Sequence, residues 1–325
     1  MALSSRDRRY EPYIPPLPCM TQRVAETVTW RRWRLHVEHV GDPDSPVQVL
    51  LIHGAGGNAA AMWPFAAHIA ALGAYVTVVD LPGYGRSIPP YDGRVTYDDW
   101  RGALAFLARR IDDGRPLALV GASMGGMLAY DTAASTGLGS LVVATCLLDT
   151  TDPVVLERIT RRPWLGRLAG PLLRMVRGPL SWVPLPMQWV APMRLIANDE
   201  GLTTEVVHDR RGGRRSMPLG WFRTFLAAGP IVAPEEYDGP PVLLVHPDED
   251  RWTPLSISER FFDRIRGEKR LVVLEGAGHF PVEEPGFSQL MDALAEALWP
   301  LAPVDQEHVR DGAGRDAEQG ASLQR

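Results

Sequence analysis

The sequence predicts an α/β protein built on a mostly parallel sheet, and three observations lead there. Short, nearly continuous apolar runs recur along the chain, the type that suits strands covered on both faces. Stretches of helical period and length separate them. The two kinds alternate, as right-handed βαβ units require.

The elements follow in order. Trp33 to His39 alternates apolar and polar residues, as a half-buried early strand does. Val47–His53, Tyr75–Asp80, Leu117–Gly121, Ser140–Leu148, Val242–His246 and Leu271–Leu274 are the apolar runs. Helical patterns cover Ala59–Leu72, Tyr97–Ile111, Met124–Ser135, Leu255–Ile265 and Phe287–Trp299. The second of these opens with Asp98 and Asp99, acids that favour a helix N-terminus. The rhythm breaks between Thr150 and Glu236, a stretch rich in Pro, Trp and Arg with no clear strand. A loop of that length without structure of its own is improbable. Residues 150–236 are therefore read as an inserted, mostly helical cap that divides the core into 23–149 and 237–301. Residues 1–22, rich in Arg and Pro, are expected to form a poorly ordered leader. Residues 302–325, with almost nothing apolar, are expected to form a disordered tail.

Composition narrows the partners. The 325 residues carry a formal net charge of −5, so no global basic field attracts nucleic acid. Nearly every basic residue is arginine, Lys269 being the only lysine, which reads as a compositional bias. The two cysteines, Cys19 and Cys146, have no metal-type neighbours and make no disulfide framework. They read as free thiols in a reducing, cytoplasmic compartment. The first twenty residues lack the apolar core of a secretory signal. The apolar stretch Leu180–Ala197 is interrupted by Pro184, Pro186, Pro192 and Arg194, too broken for a transmembrane helix. No metal and no cofactor is expected, and oligomeric state is not legible.

The chemistry concentrates in four short segments. Gly121-Ala122-Ser123-Met124-Gly125 is a G-x-S-x-G sequence between an apolar strand and a helix, the context in which that motif forms a nucleophile elbow. A serine hydroxyl needs a base to take its proton. His279, on the Gly-rich loop Glu275–Pro281, is the candidate. The base needs a carboxylate to fix its tautomer. His246–Pro254 offers Asp248, Glu249 and Asp250, of which Asp250 lies deepest in the loop; Asp248 is second and Asp149 third. The order Ser, Asp, His along the chain matches that expected for the elbow's fold. His53-Gly54-Ala55-Gly56-Gly57 ends an early strand, and the N–H groups of Ala55 and Met124 are the candidate oxyanion donors. His53 itself is read as structural.

Together the HGAGG turn, the Asp80–Ser87 segment, the GASMGG elbow and the GAGHFPVEEP loop resemble the α/β-hydrolase superfamily in order and spacing, over most of residues 47–285. The resemblance implies an eight-stranded, mostly parallel sheet flanked by helices, with an inserted helical cap. The family's acid loop usually reads G-x-x-D-x-x-x-P; Pro247 stands here in place of the glycine, the spacing gives Asp250, and Asp248 stays open. HGAGG with SMGG is most similar to monoacylglycerol lipases, lysophospholipases and carboxylesterases. That implies a carboxylic ester hydrolase working through an acyl-enzyme. Lactone, amide or C–C bond hydrolysis and cofactor-free perhydrolysis are alternatives on the same three residues. A non-catalytic binding protein is the alternative of another class.

The cap holds Trp164, Trp182, Trp189 and Trp221 with Met175, Met187, Met193 and Met217, adaptable apolar side chains that suit an acyl group on a small-molecule substrate. Trp189 and Trp221 are the candidate substrate-lining residues; the other reading is that they pack the cap on the sheet. Arg210–Arg215 is read as a solvated basic turn, or more sharply as a site for an anionic head group.

Overall fold

The computed structural model describes residues 8–16, 22–90, 94–302 of the chain. Cys19 and most of the expected tail lie outside them.

An eight-stranded sheet forms the centre. Its strands are β1 (Val24–Trp30), β2 (Trp33–Val40), β3 (Val47–Ile52), β4 (Ala74–Val79), β5 (Leu117–Gly121) and β6 (Leu141–Ala144), then β9 (Val242–Pro247) and β10 (Lys269–Leu274), after a short ladder of β7 (Pro184–Pro186) and β8 (Ser216–Pro218). The order across the sheet is β1-β2-β4-β3-β5-β6-β9-β10. Only β2 runs against the others, pairing antiparallel with β1 and β4. β3, β5, β6 and β9 are buried along their whole length, as continuous apolar runs require. β10 differs from its apolar reading: it is the sheet's edge, and Leu271 and Val273 are exposed. β1 carries too many polar residues to stand out as an apolar run.

The helices are α1 (Ala59–Ala71), α2 (Tyr97–Ile111) and α3 (Met124–Thr136), then α4 (Pro153–Ile159), α5 (Pro163–Arg174), α6 (Met187–Val190), α7 (Glu200–His208) and α8 (Leu219–Ala227), and finally α9 (Leu255–Phe262) and α10 (Gly286–Leu298). α2 starts on a capping box: Thr96 Oγ1 accepts from the Asp99 amide and Asp99 accepts from the Thr96 amide. α4 to α8 and the β7–β8 ladder fill the segment between β6 and β9, which contributes no strand to the large sheet.

Two contacts join that segment to the core, one buried and one part-buried. Trp100 of α2 packs on Trp221 of α8, ring centroids 4.8 Å apart, and Phe225 stacks on Trp221. Beside them, Arg101 Nε donates to Asp131 Oδ2 (2.8 Å), Arg101 Nη2 donates to Gly229 O (2.5 Å), and Ile231 N donates to Asp131 Oδ1 (2.9 Å). The loose leader expected over 1–22 is corrected for residues 8–16. Tyr10 is buried and donates to Asp209 Oδ2 (2.9 Å), and Ile14 joins the core. One tyrosine and one isoleucine in a polar stretch fall below what composition detects.

The ends of β3 and β9 each bury a histidine. Leu81 N donates to His53 Nε2 (3.0 Å), so this nitrogen is the acceptor; Nδ1 carries the proton and donates to Gly54 O (2.7 Å). His246 Nδ1 donates likewise to Thr145 O (2.9 Å). Burial holds both imidazoles below their ordinary value, against the partial opposition of those bonds. The unfolded chain therefore takes up protons below about pH 6.5 that the folded chain refuses, so this contribution is whole above pH 6.5 and lost as pH falls. Burial pushes the Asp131 carboxyl up to about 6, which opposes the trend below that pH. We expect Tm to fall between about pH 6.5 and 6 when melting is followed by circular dichroism. A Tm that rises over this interval would mean that the folded rings are charged.

Candidate active site

The site forms where the strand order reverses. β4 lies on one side of β3 and β5 on the other, and ligand sites of open α/β sheets sit at the strand carboxyl ends at such a point. Ile52 pairs with Gly121 in register, and Ala122 N donates to Ile52 O (2.9 Å). The turns leaving β3 and β5 therefore lie side by side. Between them a Cβ on Gly125 would sit 2.3 Å from Ile52 O, and within the second turn one on Gly121 would sit 2.0 Å from Gly125 O.

Ser123 occupies the tip of the second turn at φ 55°, ψ −128°, a backbone conformation L-residues rarely adopt. Such strain costs about 1–3 kcal/mol and persists only where the surroundings determine it. Here Thr145 Oγ1, just beyond β6, accepts from Ser123 N (2.8 Å), while Gly125 N donates to Ala122 O and Gly126 N to Ser123 O, each 2.8 Å.

Three side chains from separate loops form one chain of hydrogen bonds. Ser123 Oγ is 2.7 Å from His279 Nε2, and His279 Nδ1 is 2.7 Å from Asp250 Oδ2. With Asp250 ionised, Nδ1 holds the ring proton and Nε2 accepts from the serine hydroxyl. Burial pushes the Asp250 carboxyl up. The His279 ring and the amide and hydroxyl of Thr253 outweigh that and hold it below its usual value. The other two acids lie elsewhere. Asp248 Oδ1 accepts from Gly276 N (2.8 Å) at an exposed turn, and Asp149 Oδ1 accepts from the amide and hydroxyl of Thr151.

Several supporting residues have no motif. Thr253 Oγ1 donates to Asp250 Oδ2 (2.7 Å), while Thr253 N and Trp252 N donate to Asp250 Oδ1. Trp252 lies against the His279 ring, centroids 4.8 Å apart, and its indole donates to Ile159 O. Phe280 N donates to Ile196 O (2.9 Å), so the segment between β6 and β9 also holds the histidine loop. Asp-x-Trp-Thr shows that a threonine follows the acid; its direction in space is not written in sequence.

Among the described residues, no protein acceptor meets the amide of Ala55 or of Met124. Both residues border the same cavity as Ser123. That cavity has a volume of about 230 Å³ and is lined almost wholly by apolar side chains, among them Leu165, Leu173, Leu185, Met187, Trp221 and Phe222. Trp221 is buried and lines it, whereas Trp189 is 64% exposed and does not, which corrects the expectation for Trp189. The indole of Trp189 projects outward from a one-turn helix, a direction its apolar character does not reveal. The Arg210–Arg215 turn is solvated only in part: Arg210 and Arg214 are exposed, but Gly212 and Gly213 are buried, and a Cβ on Gly212 would lie 2.5 Å from Gly56 O. Asp209 anchors that turn by accepting from Asn58 Nδ2 (2.7 Å) and Arg211 N (2.9 Å). Cys146 is a buried free thiol, which burial and the nearby Asp250 charge push well above its usual value.

This sheet order and this serine turn define an α/β hydrolase. The sequence model described as "Alpha/beta hydrolase family" matches residues 49–296, and the chain belongs to that family. No curated protein sequence matches the chain. Among solved structures it is similar to a monoacylglycerol lipase from Paleococcus ferrophilus, with TM-score 0.64 and 21% identity over 82% of this chain and 99% of that one. It is similar also to a soluble variant of a monoglyceride lipase from Saccharomyces cerevisiae, with TM-score 0.71 and 17% identity over 89% and 99%. A thermophilic esterase from Thermogutta terrifontis superposes with TM-score 0.57 and 22% identity over 87% and 100%. At these identities the likeness is one of fold.

The hydrogen-bond geometry separates the acids. Asp250→Asn is expected to lower kcat on the order of 10⁴-fold, the scale of losing an orienting carboxylate. Asp248→Asn is expected to stay near wild type. Thr253→Val, which removes one bond to a charged group, is expected to lose about tenfold to a hundredfold. Steady-state hydrolysis of one activated ester by the three variants checks this, and a dead Asp248→Asn enzyme would move the acid.

Proposed function

We propose that the protein hydrolyses carboxylic esters carrying an apolar acyl group, through an acyl-enzyme on Ser123. The observation that carries the reading is the Ser123–His279–Asp250 hydrogen-bond chain opening onto an apolar cavity. In this reading His279 Nε2 takes the Ser123 proton as Oγ attacks the ester carbonyl. Asp250 stabilises the imidazolium, and the amides of Ala55 and Met124 receive the developing oxyanion. His279 then returns the proton to the leaving alkoxide, and a water repeats the sequence on the acyl-enzyme. No cofactor enters any step.

The two halves of the ester are assigned by where the proton goes. His279 borders a second cavity of about 30 Å³, beside the glycine turn, and does not border the large one. The small cavity has room for about one or two waters, so only the leaving oxygen is assigned to the His279 side, and the acyl chain takes the large cavity. Residues 150–236 serve as the cap, since they supply most of the large cavity's wall. A cytoplasmic setting, in which Cys146 stays a thiol, is part of the proposal.

Ser123→Ala is expected to abolish ester turnover while leaving the circular dichroism spectrum unchanged. Retained turnover in the purified variant would remove Ser123 from the chemistry. With p-nitrophenyl esters of increasing length, kcat/KM is expected to rise about fourfold per buried methylene until the cavity is full, from about 0.8 kcal/mol each. Trp221→Ala is expected to move that plateau to longer chains and Trp189→Ala to leave it in place. A flat or falling profile from acetyl to octanoyl would exclude the acyl assignment.

A further inference from the structure

The outer side of the cap carries an arrangement that the hydrolytic site does not use. On α5, Trp164, Leu168 and Leu172 recur at every fourth residue, and Met175 follows on the next turn. They are 55%, 50%, 55% and 72% exposed. Residues spaced by three and four share one helix face, so α5 presents an apolar stripe to solvent. The neighbouring side, about 100° round the helix, carries Leu165, Ala169 and Leu173 and lines the acyl cavity. Trp189 stands out nearby: Arg161 N donates to Val190 O, which ties its helix to the start of α5. Scattered exposed apolar residues need no explanation, but a contiguous band does.

The charge around the stripe is one-sided. From Arg158 to Asn198 the chain has seven arginines and no acidic residue, within a protein of net charge −5. Arg161, Arg162, Arg174, Arg177 and Arg194 are exposed; Arg167 is paired with Glu157. An exposed apolar helix face among unopposed arginines matches an interfacial helix lying on an anionic lipid surface. Among the described residues, no helix is long and apolar enough to cross a membrane, so the contact is peripheral. Leu172 belongs both to the exposed stripe and to the cavity wall, so a docked surface would meet the wall of the acyl site.

We propose that the α5 face of the cap docks the protein on anionic lipid surfaces. Binding requires no turnover, so its failure and the failure of the ester reading are separable. The test is co-sedimentation of the full chain with vesicles of phosphatidylcholine mixed with phosphatidylglycerol, and with phosphatidylcholine alone. Wild type is expected to bind the anionic vesicles, to lose most of that binding in high salt, and to bind neutral vesicles weakly. Replacing Arg162, Arg174 and Arg177 together by Gln is expected to weaken binding about a hundredfold, at about fivefold each. Trp164→Ser with Leu168→Ser is expected to weaken it at least about tenfold. Both variants are expected to hydrolyse a soluble short-chain ester as wild type does. Equal binding to both vesicle types, no binding, or variants that bind like wild type would overturn the proposal. So would a concentration-dependent dimer in sedimentation equilibrium that Trp164→Ser with Leu168→Ser abolishes, since the stripe would then face a second copy.

Discussion

The site depends on how closely two backbone turns approach each other at the ends of β3 and β5. Their register sets Ile52 opposite Gly121, and the space between the turns admits no Cβ at Gly125, while the serine turn itself admits none at Gly121. That approach puts Ser123 on the same cavity as Ala55, a residue nearly seventy positions earlier in the chain. The strained Ser123 backbone follows from the same packing. A relaxed turn would swing the hydroxyl away from the strand ends, and the Thr145 hydroxyl and the following amides hold it against that relaxation. The β3 turn is held just as firmly by His53, which spans from the Gly54 carbonyl to the Leu81 amide and is saturated in its neutral form. A histidine so placed has no nitrogen left for chemistry, which separates it from His279 without appeal to function.

Electrostatics in the acid loop follows the same logic of saturation. A buried carboxylate is costly unless its oxygens are bonded. Asp250 receives two backbone amides on Oδ1 and a hydroxyl and an imidazole on Oδ2. The Thr253 hydroxyl and the His279 ring converge on one oxygen. The threonine thereby limits where the carboxylate can rotate and so where the ring can point. The tilted contact with Trp252 limits the remaining freedom of the ring, and the same indole reaches the Ile159 carbonyl at the end of α4. The ring's orientation is thus coupled to the segment that walls the cavity.

Much of this was legible in the sequence, for physical reasons that also mark where legibility stops. The central strands read clearly because parallel strands buried on both faces must be continuously apolar, and helices α1, α2 and α3 fall within a residue of their predicted ends. Residues Ser123 and His279 stand in local motifs because sharp turns and mobile-looking Gly-rich loops leave compositional marks. Asp250 is favoured over Asp248 by its depth in the loop and by the family spacing, and the structure brings Asp250 to His279. Burial contributed by one or two residues was not legible. Tyr10 packs on Asp209 out of a polar leader, and the Arg210–Arg215 turn buries its glycines against Gly56. Nor was direction: Trp189 and Trp221 are alike in a string of letters. One faces solvent from a single helical turn, and the other stacks on Phe225 and packs against Trp100.

The two sides of α5 show why the insertion cannot be understood as packing alone. A helix that served only to cover the core would turn its apolar residues inward and its arginines outward. Here apolar residues occupy two adjoining sides, one set walling a cavity that ends at Ser123 and the other meeting solvent. Gly166 allows α5 to lie against the backbone of α4, where a Cβ would stand 2.5 Å from Leu156 O, so the helix is held on that side and not free to roll its outer stripe inward. Burying the outer stripe by rotation would also expose Leu165 and Leu173 and empty the wall of the cavity. The exposed apolar face is therefore bound to the existence of the apolar site. One helix joins an apolar surface to the wall of the cavity that Ser123 borders.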